Sequence, residues 1–194
     1  MPKLKRSFYL RDDVVEVARD LLGKVLVTRF EGKITSGIIC ETEAYAGVID
    51  RASHAFGGRR TARNEVMYGK GGTSYVYLCY GIHHLFNVVT HSAGTPHAVL
   101  VRAIHPLEGI ELMRERRGGS ARFSTGGPGT LTRALGIRTA HNGTDLLSDT
   151  IHIEERSITI PERIIVAGPR IGVDYAGDDA LLPYRFHFDP RSLT

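Results

Sequence analysis

Glu41-Thr42-Glu43-Ala44-Tyr45 and Tyr75-Val76-Tyr77-Leu78-Cys79-Tyr80-Gly81 are the two runs on which the reading of this chain turns. Both alternate. In the first, Ile39, Glu41, Glu43 and Tyr45 share one face, and Ile38, Cys40, Thr42 and Ala44 share the other. In the second, Tyr75, Tyr77 and Cys79 face one way and Val76, Leu78 and Tyr80 the other. Gly81 then permits a sharp bend. A period of two predicts strands, so two carboxylates and a row of tyrosines project from strand ends. Between the runs lie Ser53-His54 and Gly57-Gly58-Arg59-Arg60. They fall in a stretch, 46–60, that mixes Gly, Asp, Ser and Arg without period and reads as a loop. This blend of acid, histidine, arginine and tyrosine is too polar for core and too aromatic for ordinary surface.

Working outward, Lys24–Arg29 and Lys33–Glu43 predict a hairpin across Phe30-Glu31-Gly32. Residues 12–22 predict a short amphipathic helix. Val14, Val17, Ala18, Leu21 and Leu22 have helical spacing, with Asp12 as cap and Gly23 at the end. Thr61 is expected to cap a helical turn through Met67, and Gly69-Lys70-Gly71-Gly72 to form a tight turn with positive φ angles. Further strands are expected at Thr73–Leu78, Leu85–Thr90 and Ala98–Ile104. Pro106 is placed to open a helix that runs to about Arg117. Residues 118–129 read as a Gly/Ser-rich loop. Thr125-Gly126-Gly127-Pro128-Gly129 leads into a helix through Leu135. Its free N–H groups suit a phosphate, although a plain helix entry is the simpler account. Short strands recur at about 151–153, 158–160, 164–167 and 184–188. No repeat or linker stands out, so residues 1–194 read as a single domain of the α+β class. Short strands and hairpin-length loops make its sheet antiparallel, with helices at the edges.

A chain of 194 residues can bury a real core. Apolar residues are 42% and charged ones 24%, as in an ordinary soluble globular protein. No apolar run approaches the roughly 18 residues of a membrane helix. The start, Met1-Pro2-Lys3-Leu4-Lys5-Arg6, lacks the apolar segment of a secretion signal. With Cys40 and Cys79 alone there is no disulfide framework. Buried free thiols in a reducing compartment are expected, hence a cytoplasmic protein, nucleoid-associated in a bacterium. The net charge is +4, carried by 20 Arg against 5 Lys. The planar guanidinium suits bidentate contact with phosphate, which favours an anionic partner such as nucleic acid. Arg-biased codon usage accounts for the excess equally well.

The central stretch holds the parts needed to cut a base from its sugar. The transition state resembles an oxocarbenium ion, so a carboxylate near the anomeric carbon can orient and deprotonate a water. The base must first leave the helical stack. An alkylated, cationic purine is then held best between electron-rich rings. A side chain inserted into the duplex fills the gap. Taken singly, the residues are less telling. Glu-x-Glu is more often a solvated strand face, and His54 a surface histidine. Asn87 would be a polar group satisfied inside a strand. Tyr75 reads as structural packing. Arg102, within the apolar run Val99–Ile104, demands a partner, and a salt bridge to Glu43 or Glu41 is the plain one.

Two rivals are weighed. His83, His84, His91, His97 and His105 raise a metal hydrolase, but no His-Glu-x-x-His run and no zinc-spaced cysteine pair is present. A non-catalytic nucleic-acid-binding module would need the arginines and aromatics but neither Glu43 nor Arg102. A Ser or Cys nucleophile finds no supporting motif.

These residues also carry a resemblance. The runs Glu41–Tyr45, Ser53-His54 with Gly57–Asn64, Tyr75–Gly81, Asn87 and Val99–Gly109 resemble the alkyladenine (3-methyladenine) DNA glycosylases. The likeness spans about Leu10 to Phe188. It implies a curved antiparallel sheet, open and barrel-like, with flanking helices. It implies double-stranded DNA containing a damaged purine as partner, and a monomer that uses no metal and no cofactor. By that match Glu43 is the general base and Arg102 helps hold its water, with the Val173 carbonyl as a further contact. Tyr45 and Tyr77 sandwich the base, and His54 completes the wall. Tyr80 is the wedge in the minor groove, and Asn87 crowds the exocyclic amino group of guanine. Glu41 stays the second choice for the base. Arg59, Arg60 and Arg63 are expected at the DNA backbone. No lysine falls at a matched pocket position, which implies simple hydrolysis without a Schiff base. Ile82, His83 and His84 follow the wedge where the family carries larger groups.

Overall fold

The computed structural model describes residues 1–120 and 123–193. Ala121 and Arg122, inside the expected 118–129 loop, lie outside the described residues. Helices α1 (Arg6–Tyr9) and α2 (Val14–Asp20) lead into strands β1 (Val25–Phe30) and β2 (Lys33–Tyr45). After a loop of short 3-10 turns come β3 (Thr73–Cys79), β4 (His83–Thr90) and β5 (His97–Glu108). Helices α3 (Ile110–Arg116) and α4 (Pro128–Leu135) follow, then β6 (Ile151–Glu154), β7 (Val166–Gly168) and β8 (Arg185–His187).

All strand pairs are antiparallel, in the order β3-β4-β5-β2-β1-β6, and the sheet curls into a half-barrel of the α+β class. β2 is the spine. One side pairs with β5 over most of its length; the other pairs first with β1 and then, from Glu41 to Glu43, with β8. The change of partner coincides with irregularities in the β2–β5 register. Cys40 has no partner on β5, and Arg102 has none on β2. Extra residues of this kind bend a strand and increase its twist, which accounts for the curl at this point. Below the sheet, Leu21, Leu26, Ile39, Phe86, Leu131 and Leu135 pack into one buried cluster with Tyr9.

The structure corrects several expectations. Asp13, not Asp12, caps α2, accepting from the Val15 and Glu16 N–H groups at 2.7 and 3.1 Å. Pro106 opens no helix. β5 runs on to Glu108, and Pro106 sits opposite Gly37 where the ladder slips, so its missing N–H costs little. Gly109 (φ +70) starts α3 instead; a Cβ there would meet the Ile34 carbonyl at 2.3 Å. In the Gly69–Gly72 turn only Gly72 has positive φ. Gly71 is needed for close approach, since a Cβ would meet the Tyr9 carbonyl at 2.5 Å. Thr61 caps no helix; its N–H and hydroxyl both donate to Asn64 Oδ1. Residues 158–160 form no strand, because Ile158 and Ile160 pack on the core without a ladder partner. Cys40 is buried, but Cys79 is only half-buried. No described helix is long and apolar enough to cross a membrane.

Candidate active site

The faces of β2 and β3 meet over a cavity of about 560 Å³, within the usual range for small-molecule sites. Tyr45, His54, Arg63, Tyr75, Tyr77, Tyr80, Asn87, Arg102, Val173 and Tyr175 border it. Eight of the site residues named from the sequence, Arg63 among them, thus converge from β2, the stretch between β2 and β3, β3 and its hairpin tip, β4, β5 and the segment after β7. Glu43 does not border the cavity. It is wholly buried one hydrogen bond behind the wall, and three wall residues hold it. The Tyr45 hydroxyl donates to Oε2 at 2.9 Å, Arg102 Nη1 donates to the same oxygen at 3.3 Å, and the Ile171 N–H donates to Oε1 at 2.8 Å. Arg102 also reaches Glu41, so both plain salt bridges foreseen for it are made.

Burial pushes the Glu43 carboxyl above its usual range, against the pull of Arg102, the Ile171 N–H and the Tyr45 hydroxyl. Burial, then the Glu43 charge, raises Tyr45 well above an ordinary phenol. His54 goes the other way. Burial, with Arg63 and Arg59 nearby, lowers it to about 4, so it is a neutral imidazole at physiological pH. Its Nδ1 lies 2.8 Å from the Tyr75 hydroxyl, whose own pKa burial raises to about 12. Tyr75 is therefore more than packing: it holds the His54 ring edge-on to Tyr77, with centroids 4.7 Å apart. Asn87 pairs with Tyr75 in register and donates from Nδ2 to its carbonyl at 3.1 Å. The Val173 carbonyl accepts from Ala176 at 2.8 Å and keeps one lone pair for a further donor.

Tyr80 stands at the tip of the β3–β4 hairpin, 92% exposed. Its φ of +50 is followed by +72 at Gly81. A bulky residue in the left-handed region is strained, and strain of this kind gathers at functional sites. Among the described residues no group of three or more His, Cys, Asp and Glu is placed to hold a metal ion.

With this geometry in place, the comparisons are specific. The model of the family described as "Methylpurine-DNA glycosylase (MPG)" matches residues 7–191. The chain belongs to that family. It is 50% identical to a protein of Chlamydia felis over 94% of each chain. It is 47% identical to one of Bacillus thuringiensis over 94% of each, and 46% identical to one of Desulfitobacterium hafniense over 97% of this chain and 96% of the other. All three are named "Putative 3-methyladenine DNA glycosylase". The resemblance read from the sequence is borne out, and the protein is a DNA glycosylase of the alkylation-repair class.

The three loop arginines divide within this family member. Arg59 is exposed. Arg60 pairs with Glu65 through Nε at 2.9 Å and covers the Tyr68 ring. Arg63 lies over Tyr77 at 4.9 Å and donates to the Leu78 carbonyl. Sequence reasoning missed Arg170. Its side chain is fully buried, forks onto Asp50 and lies 4.9 Å from the Tyr45 ring centre. Because Arg170 does not border the cavity, it backs the ring face turned away from it. A lone arginine between Pro169 and Ile171 has no periodic signal that could have pointed to it.

Proposed function

We propose that the chain rotates an alkylated or deaminated purine out of duplex DNA into this cavity. A water activated by Glu43 then hydrolyses the N-glycosidic bond and leaves an abasic site. The observation that carries this reading is the buried Glu43 carboxylate directly behind a wall of tyrosines. Desolvation raises its pKa toward that of an effective general base. The Arg102 contact, at 3.3 Å the longest on Glu43, is the one a water can enter, held between the carboxylate and the guanidinium. Tyr45 and Tyr77 offer flat faces to the base, and neutral His54 adds no repelling charge against a cationic lesion. No lysine is among the described cavity residues, in keeping with hydrolysis rather than lyase chemistry.

The test is single-turnover release of hypoxanthine or etheno-adenine from a duplex oligonucleotide, then from methylated DNA. Release of any of these supports the reading. Tight lesion binding with no release from either DNA makes the chain a binding module instead. Two variants probe the walls. Tyr80→Ser is expected to weaken lesion binding by about 10- to 100-fold, since a stacked aromatic is worth roughly 1–3 kcal/mol. Unchanged affinity in a gel-shift titration rejects the wedge role. Asn87→Ser is expected to admit normal guanine, which gains the space that the amide now fills. Free guanine in the chromatogram is the readout, and its absence removes Asn87 as a guard.

A further inference from the structure

Four side chains of alternating charge run from β8, which lies between β2 and β7, to Glu43. Arg185 on β8 donates from Nε to Glu41 Oε1 at 2.6 Å. Arg102 Nε reaches the same oxygen at 3.2 Å, and Arg102 Nη1 reaches Glu43 at 3.3 Å. Side-chain exposure falls steadily along the row, from 24% at Arg185 through 16% at Glu41 and 12% at Arg102 to 0% at Glu43. The row crosses the sheet where Cys40 and Arg102 lack ladder partners. Glu41 has no part in the hydrolysis as proposed. It does not border the aromatic cavity but a second one, of about 400 Å³, next to His105 and His187. A carboxylate that only needed solvent would not take two guanidinium groups on one oxygen.

We infer that Glu41 is a positioning residue for base excision: with Arg185 it fixes the Arg102 guanidinium and offsets its charge, and so sets how strongly Arg102 acts on Glu43. This rests on Glu43 being the general base. The physical reason is a balance. A base too near a bare cation holds its carboxylate form at little cost and takes protons weakly. Arg102 on β5 is that cation, and the Ile171 N–H and Tyr45 hydroxyl act in the same sense. Arg170, behind Tyr45, is another buried cation nearby. Against them stand burial and the Glu41 charge, and both raise Glu43. Arg185 in turn neutralises part of Glu41. Removing Glu41 and removing Arg185 therefore push Glu43 in opposite directions, and a merely structural role for either would not do this.

The experiment is the pH profile of single-turnover base release from methylated duplex DNA. Its 3-methyladenine and 7-methylguanine are already cationic and leave without an acid, so the acidic limb reports the enzyme's base alone. In Glu41→Gln the limb is expected to move to lower pH by about one unit. The high-pH plateau should fall about tenfold, as Arg102 loses its anchor. In Arg185→Gln the limb is expected to move to higher pH. Limbs that stay at the wild-type position in both variants overturn the inference. If Glu41→Gln abolishes release at every pH while Glu43→Gln still releases base, then Glu41 is the base, and the reading of Glu43 falls with the inference. If Glu41→Gln fails to fold, Arg185→Gln on the short strand β8 decides alone: an upward shift supports the role and no shift rejects it.

Discussion

Glu43→Gln keeps lesion binding and lowers single-turnover base release by a factor on the order of 10² to 10⁴, the usual contribution of a positioned general base. The amide retains the volume of the carboxyl and one oxygen to accept the Ile171 N–H, now bonded at 2.8 Å. It cannot take a proton from water. Arg102 is not orphaned, because Glu41 still accepts its Nε. The sign of the pH dependence follows from burial. Glu43 is raised above its ordinary value, so wild-type release falls as pH drops through that raised pKa, at higher pH than a free glutamate would impose. The variant has no such limb. Stability supplies the control. A carboxyl whose folded pKa is raised holds its proton longer folded than unfolded. Stability therefore declines as pH rises from the unfolded pKa through the folded one. Gln removes that decline, so the variant melts no lower than wild type at neutral pH. Quenched-flow release across pH, lesion gel shifts and thermal melts on the same preparation check these points. Release within tenfold of wild type would move the base to Glu41.

The strands that carry this chemistry were legible, because period-two alternation marks both the strand and its faces. Tyr75 and Tyr77 on one face of β3, and Glu43 and Tyr45 on one face of β2, followed from spacing alone. The junctions were less so. Pro106 reads locally as a helix start, yet the ladder around Gly37 tolerates a residue without an N–H, and tertiary pairing overrode the local signal. The register was invisible too. Arg102 meets Glu43 across 59 residues, at a place where both strands slip. The oddity of a cation in an apolar run pointed to a partner but could not choose between Glu41 and Glu43; the structure shows that it takes both. Arg170 left no trace at all. Its partner Asp50 is 120 residues away in a stretch that reads as plain loop. Nothing in the order of residues tells a solvated loop aspartate from a buried one.

That buried pair is expected to be the most costly to break. Asp50→Ala should destabilise the protein by about 3–5 kcal/mol, the usual consequence of stranding one partner of a buried ion pair. Asp50 is 2% exposed, and the Arg170 side chain is fully covered. Besides its fork with Arg170, Asp50 accepts the N–H groups of Ala46 at 2.9 Å and Ala52 at 3.0 Å. Its removal orphans a cation and two amides together. Arg170 also donates to the carbonyls of Ala44 and Asp179 and lies over the rings of Tyr45 and Tyr184. It therefore ties the end of β2, the following loop and the 174–181 segment to the back of a cavity tyrosine. At roughly 2–4 °C per kcal/mol for a chain of this size, the melting temperature should fall by about 10 °C. Arg170→Met leaves Asp50 with two backbone donors and an apolar chain of similar length against Tyr45, so its cost is smaller. The double variant Asp50→Ala/Arg170→Met should be more stable than Asp50→Ala, because the unpaired buried cation is gone. Additive losses, measured by chemical denaturation of all three variants, would mean that Arg170 acts through its packing on Tyr45 and Tyr184. In that case lesion affinity, as well as stability, should follow Arg170.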